Sequence, residues 1–361
     1  MKTVFIKLIF FSCKPLSMLC VRGNLVWSGL NCWSNVRQSV VVDSTYAHSI
    51  NLLLIDPQKV LGNKLKILSF VQNRDFILPH SFGVQFSESI KFVDYFKASS
   101  YSLLTIGSEG KAKTIEIKNE KTCFLLETVK PLKIAKHYDI EALLSAGKRT
   151  RQIEALLQNI RHYLNIKPIE SSGEFSKLLF CLVNSSNVAR ALVTWESSAD
   201  ELEALYHAEL KRTISNLCQH FAQNKTSSNE ELLRILRRLV GLGSGSTPSG
   251  DDFVLGFILA FICTTGDASI LPGLSESSFL MKTTTLSQMF FLRASEGLFA
   301  NDLMMLALQM FAAEGANFCD IMASILSWGH TSGLDTLCGF YLALLIVKVE
   351  LSNSLQEIGD N

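Results

Sequence analysis

The sequence predicts an α+β fold, β-rich in the N-terminal region and mainly helical in the C-terminal region, and three observations predict it. Between about 45 and 130 the apolar segments are short, rich in β-branched residues and broken by Gly, Pro, Asn or Asp. Near Tyr138 the apolar spacing changes to three and four residues, the stripe of an amphipathic helix. In the C-terminal third, two similar helix starts share the pattern SGxDxxxGFxLA. The chain therefore divides into an N-terminal extension over 1–40, a β-rich domain over 41–135 and a mainly α-helical domain over 136–361.

Residues 1–40 have no clear period. Their start, MKTVFIKLIFFSCKPLSMLC, has the outline of a secretory signal, but Lys7 and Lys14 cut the apolar stretch and no small-residue cleavage pattern follows. A cytoplasmic protein is expected. Strands are expected at HSINLLLI, LKILSFV, FILPHSFGVQF, IKFVDYF, YSLLTIG, KTIEIK and TCFLLET, of which KTIEIK alternates apolar and polar residues like a half-buried strand. Amphipathic helices are expected at DIEALLSAGKRTRQIEALLQNIRHYL and at ADELEALYHAELKRTISNLCQHF. Ser228 and Glu231 form an S-x-x-E capping box that starts the helix ELLRILRRLV. Gly241 can end that helix in the left-handed conformation, with Arg234, Arg237 and Arg238 where the helix dipole favours cations. Further helices are expected at about 276–313, at 317–328 and after Gly333.

Composition narrows the partners. The net charge is +1, from 34 basic and 33 acidic residues, which gives no electrostatic basis for binding nucleic acid or a membrane surface. Hydrophobic residues make up 48% and charged ones 19%, a balance that suits buried helices or a sizeable subunit interface. The longest apolar runs, FVLGFILAFIC and LCGFYLALLIV, are shorter than the ~18 residues that span a bilayer and read as core helices. The 9 cysteines are scattered without a C-x-x-C pair, as reduced core thiols would be.

The most unusual stretch is GLGSGSTPSGDD, from Gly241 to Asp252. It lacks the lysine of a P-loop, and it follows a helix where a dinucleotide fingerprint follows a strand; no nucleotide or haem motif is found. Gly241, Gly243 and Gly245 permit backbone angles closed to other residues and let a ligand approach the main chain. Thr247 is placed to cap the next helix, with Pro248 at its first position, so that the free N–H groups of the first turn make an anion site. Asp251 and Asp252 either complement the helix dipole or hold a cation or substrate amino group. Mg²⁺ is the cation that such hard oxygen ligands would take beside a phosphate.

SGDDFVLGFILAFI aligns without gaps with SGLDTLCGFYLALL further on, matching Ser249 with Ser332, Gly250 with Gly333, Asp252 with Asp335, Gly256 with Gly339 and Phe257 with Phe340. Asp252, Gly256 and Ala260 share one helix face, as do Asp335, Gly339 and Ala343. Small residues on a face let two helices come close, so the two helices are expected to pack and to bring Asp252 and Asp335 to one pocket. The competing reading is two capped core helices that resemble each other because serine caps and small packing residues are common. His330 is a candidate acid, base or phosphate donor, or else a structural turn residue. The hydroxyls of TTTLSQ, from Thr283 to Gln288, either cap a helix or face the same pocket.

These motifs resemble the AllH family, which includes the AllH subunit of oxamate carbamoyltransferase. The family pattern G-x-G-x-G-L-T-P-S-G-D-D-F-L-x-G appears here as GLGSGSTPSGDDFVLG, with Ser246 in place of leucine. The T-T-x-[IL]-S element is matched by TTLS ending at Ser287, and G-H-x-S-G-x-D by GHTSGLD, from Gly329 to Asp335. HSINLLL and ILPHSFGVQF are similar to the family's N-terminal β region. The resemblance implies carbamoyl transfer between carbamoyl phosphate and oxamate, giving oxalurate and phosphate, in a multi-subunit enzyme of allantoin catabolism.

On this reading Gly243, Gly245, Ser246, Thr247, Ser249, Gly250, Thr284, Ser287, Thr331, Ser332 and Gly333 bind carbamoyl phosphate or another small phosphorylated or carboxylate substrate. Asp252, His330 and Asp335 are the candidate catalytic residues, and Asp251 with Asp252 would hold Mg²⁺. Partner subunits are expected. Two alternatives use the same sequence: a metal-dependent hydrolase or phosphotransferase built on the same carboxylates, and a non-catalytic structural subunit.

Overall fold

Alternating apolar side chains build the N-terminal sheet. The computed structural model describes residues 19–28, 36–45, 49–54, 67–71, 81–85, 91–109, 112–119, 122–127, 133–134, 140, 150–166, 173–185, 187–195, 201–223, 229–311 and 317–359. The chain forms two units, Met1–His137 and Tyr138–Asn361. Ser228 of the expected capping box lies outside the described residues.

The first unit has strands β1 (Leu19–Ser28), β2 (Val36–Thr45), β3 (Ser49–Leu54), β4 (Ile67–Val71), β5 (Ser81–Gln85), β6 (Tyr101–Glu109), β7 (Ala112–Lys118), β8 (Thr122–Glu127) and β9 (Lys133–Ile134). They form one sheet in the order β5-β4-β3-β2-β6-β7-β8-β1-β9, and β1 also pairs with β5, so the sheet closes on itself. The β1–β8, β1–β9 and β4–β5 pairs are parallel and the others antiparallel. Ile117 of KTIEIK lies between Leu104 and Phe124, and Ile115 between Ile106 and Leu126; all six are buried. One face of each of these strands therefore supplies the core, as their period of two requires.

Two features differ from the sequence expectation. IKFVDYF forms a short 3-10 turn at Phe92–Asp94 rather than a strand. Its buried aromatics, Phe92 and Phe96, are four apart, and with Tyr95 they surround the Phe124 ring at centroid distances of 5.7, 5.1 and 5.3 Å. That is helical spacing, not strand alternation. Strand β1 arises from residues that show no clear period in the sequence.

The second unit has helices α1 (Thr150–Ile166), α2 (Glu174–Ser185), α3 (Val188–Thr194), α4 (Glu201–Gln223), α5 (Asn229–Leu236), α6 (Ser249–Thr265), α7 (Ser277–Leu280), α8 (Thr285–Ser295), α9 (Asn301–Leu308), α10 (Phe318–Leu326) and α11 (Ser332–Gly359). The two apolar runs are the buried cores of α6 and α11, which pack along each other. Around α6 the rings of Phe175 and Phe253 stack at 4.7 Å, and Phe221 lies 5.8 Å from Phe261. Among the described residues no helix is long and apolar enough to cross a membrane.

Burial pushes the thiols of Cys218 and Cys263 up to about 12, so neither is a nucleophile at neutral pH.

Candidate functional site

The two similar helix starts meet. A Cβ on Gly256 would overlap the carbonyl oxygen of Thr336, and one on Gly339 would overlap that of Phe253. The contact is reciprocal: each glycine of the repeated pattern receives the backbone of the other helix. A second matched pair sits at the helix starts, where a Cβ on Gly250 would overlap the carbonyl oxygen of Leu239 and one on Gly333 that of Ile325. Hydrogen at these positions is therefore a packing requirement, and the repeat records how two helices reach contact.

The serines and aspartates are exchanged across the same contact. The hydroxyls of Thr247 and Ser332 face the Asp252 carboxylate of α6, and those of Ser249 and Thr331 face the Asp335 carboxylate of α11. Thr247 Oγ1 and Ser332 Oγ lie 3.0 Å apart, joining the two motifs directly. The expected capping role of Thr247 is corrected: Pro248 occupies the N-cap position of α6 without a side-chain cap, because the Thr247 hydroxyl is turned to Ser332.

Asp252 and Asp335 are 6% and 1% exposed. Burial, followed by the charge of Asp335, raises the Asp252 carboxyl well above its usual range. Burial raises Asp335 to about 6, against the hydroxyls of Ser249 and Thr331. Those hydroxyls come near enough to oppose the rise, yet neither Asp335 oxygen, nor Asp252 Oδ2, has a partner in hydrogen-bond geometry. No hydrogen bond of ordinary geometry therefore satisfies these three oxygens.

Asp251 is differently placed. It accepts a hydrogen bond of 2.7 Å from the Gly241 N–H and another from the Thr283 hydroxyl, and Ser287 also faces it. Burial raises its carboxyl too. Its oxygens thus tie the start of the glycine loop to the start of α8. Thr284 completes that tie: its hydroxyl caps α8 by accepting from the Ser287 N–H at 3.2 Å and donates to the Ser246 carbonyl at 2.5 Å.

The loop itself is open. Gly241, Gly243 and Gly245 have φ of +79°, +110° and +100°, and Gly243 to Gly245 are exposed. In the first turn of α6 the Gly250 N–H donates to Leu242 and those of Asp251 and Asp252 donate to Pro248, so these amides are occupied. Among the described residues the N–H groups of Gly243, Ser244 and Gly245 have no backbone partner. Free amides therefore lie in the exposed loop more than at the helix start; successive unpaired backbone N–H groups are what anion sites of this kind are built from.

His330 is exposed, and among the described residues no hydrogen bond or ion pair joins it to the buried carboxylates. Among the described residues no three or more His, Cys, Asp or Glu side chains gather around one point, so any cation held here would depend on two carboxylates and neutral oxygens. A cluster without a sequence signal lies on α2 and α4. Glu174 Oε2 is 2.6 Å from Nδ1 of buried His207, whose ring stands edge-on to Trp195 at 4.4 Å. Beside it, burial and the charges of Asp335 and Glu174 push the Tyr206 phenol up. No motif unites these residues because they come from three separate segments.

Residues 239–344 match the family model of oxamate carbamoyltransferase subunit AllH. The AllH match begins on the turn before the glycine loop and ends inside α11, so it takes in both crossed helix starts and the Thr283–Ser287 brace. The sheet and the Glu174–His207 pair fall outside the AllH segment. No solved structure matches the chain.

Proposed function

We propose that this protein is a cytoplasmic subunit or relative of oxamate carbamoyltransferase that binds carbamoyl phosphate at the glycine loop. The observation that carries this reading is the juxtaposition of an open loop of free amides with a buried, unsatisfied carboxylate pair. The loop amides suit the phosphate, whose departure they would stabilise. The carboxylates and their hydroxyls suit the amide end of the substrates or a cation beside it. In the reaction the oxamate nitrogen attacks the carbamoyl carbon, the carbon–oxygen bond to phosphate breaks, and phosphate leaves with the electron pair and carries off the proton lost by nitrogen. Products are oxalurate and phosphate.

The AllH match supports the substrate pair and a multi-subunit setting. The test is an assay of the chain, alone and with its co-purifying subunits, for oxalurate and phosphate formed from carbamoyl phosphate and oxamate. Activity lost in Asp252→Asn supports the reading; hydrolysis of carbamoyl phosphate without oxalurate would replace it with a hydrolase.

The packing of Gly250, Gly256, Gly333 and Gly339 favours one second reading, a non-catalytic structural subunit, because it explains these glycines without a ligand. It leaves the unsatisfied carboxylates unexplained.

A further inference from the structure

Two carboxylates enclosed by helix starts need a source of positive charge or of donors. Among the described residues no Lys, Arg or His forms an ion pair with Asp252 or Asp335, although the two are 6% and 1% exposed. The amides that might have served them are committed: Gly250 donates to Leu242, Asp252 to Pro248 and Asp335 to Thr331. Both oxygens of Asp335 and Oδ2 of Asp252 stay without a hydrogen-bond partner. Burying charge in that state, without partners, is strongly unfavourable.

We propose that Asp252 and Asp335, with the hydroxyls of Thr247, Ser249, Thr331 and Ser332, bind a divalent cation of the Mg²⁺ or Ca²⁺ class. Every donor is a hard oxygen, which selects against thiolate- and imidazole-seeking metals. Two carboxylates balance a charge of two, and a monovalent ion would leave one negative charge buried. The hydroxyls come from both helix starts and converge, as the 3.0 Å approach of Thr247 to Ser332 records. Asp251 is excluded as a ligand because Gly241 and Thr283 occupy its oxygens. The ion thus belongs to the Asp252–Asp335 pair rather than to the adjacent Asp251–Asp252 pair. This site rests on the carbamoyl phosphate reading only for an additional ligand, a phosphate oxygen from the neighbouring loop.

The experiment uses the full chain stripped with chelator, in the absence of carbamoyl phosphate, titrated with Mg²⁺, Ca²⁺ and K⁺ by calorimetry and thermal unfolding. A divalent ion binds saturably and raises Tm by about 5 °C or more at a hundred times its Kd, and K⁺ does not. Asp335→Asn weakens divalent binding at least about 100-fold, while its metal-free Tm equals or exceeds that of the parent because a buried unpaired carboxylate is gone. Ser249→Ala keeps the charge and weakens binding less. No binding of either divalent ion by the folded parent overturns the site, as does equal binding by Asp335→Asn. Carbamoyl phosphate binding by the metal-free chain would then leave the function standing and remove only the cation; divalent binding without carbamoyl phosphate binding would do the reverse.

Discussion

The side-chain oxygens of Thr247 and Ser332 lie 3.0 Å apart, although 85 residues separate them in the chain. This contact joins the glycine loop to the second helix start and places hydroxyls from both beside Asp252. Thr247→Val keeps the shape and removes the hydroxyl. It is expected to lower stability by about 1 kcal/mol in urea unfolding and to weaken carbamoyl phosphate binding.

The glycines at the helix crossing lead to a stronger effect. Gly256→Ala places a methyl group where the Thr336 carbonyl sits, and Gly339→Ala does so against Phe253. Backbone cannot rotate away, so each change is expected to cost about 3 kcal/mol, at the upper end of overpacking. The double variant should cost less than the sum, because one separation of the helices relieves both overlaps. Thermal unfolding of the two single variants and the double variant measures this.

Raised carboxyls make the metal-free chain sensitive to pH. Asp335 titrates at about 6 in the folded chain against an ordinary 3.8, and Asp252 is shifted in the same direction. The folded state therefore holds more protons than the unfolded state between these values. The stabilisation is fully present below the unfolded pKa and is lost as pH rises through about 6. Urea midpoints in chelator are expected to be higher at about pH 5 than at about pH 7.5, with the difference reduced in Asp335→Asn.

The helical half was legible where apolar period and caps are strong. The runs at Phe253–Cys263 and Leu337–Val347 are core helices, and the SGxD alignment anticipated that their starts meet. It did not reveal that the serines and aspartates cross from one helix to the other, nor that Asp251 turns back to Gly241, because contacts of this kind depend on how helices rotate about their axes. Likewise Phe92 and Phe96 read as strand residues until their shared partner Phe124 is known. Glu174 and His207 carry no local signal at all, since each sits singly in an ordinary amphipathic helix.

That pair has its own expected outcome. Glu174→Ala or His207→Ala strips a buried group of its 2.6 Å partner and is expected to cost about 2 kcal/mol. A double-mutant cycle read by urea unfolding should give a coupling of about 1 kcal/mol or more, since removing both leaves nothing unpaired.

The most direct measurement is calorimetric titration of the purified chain with carbamoyl phosphate, with and without Mg²⁺, using inorganic phosphate as comparator and Asp252→Asn as control. Saturable binding of carbamoyl phosphate, tighter than phosphate and lost in the folded Asp252→Asn chain, is the predicted result. No binding by the folded parent, or equal binding by the variant, would contradict a substrate site at the crossing of α6 and α11.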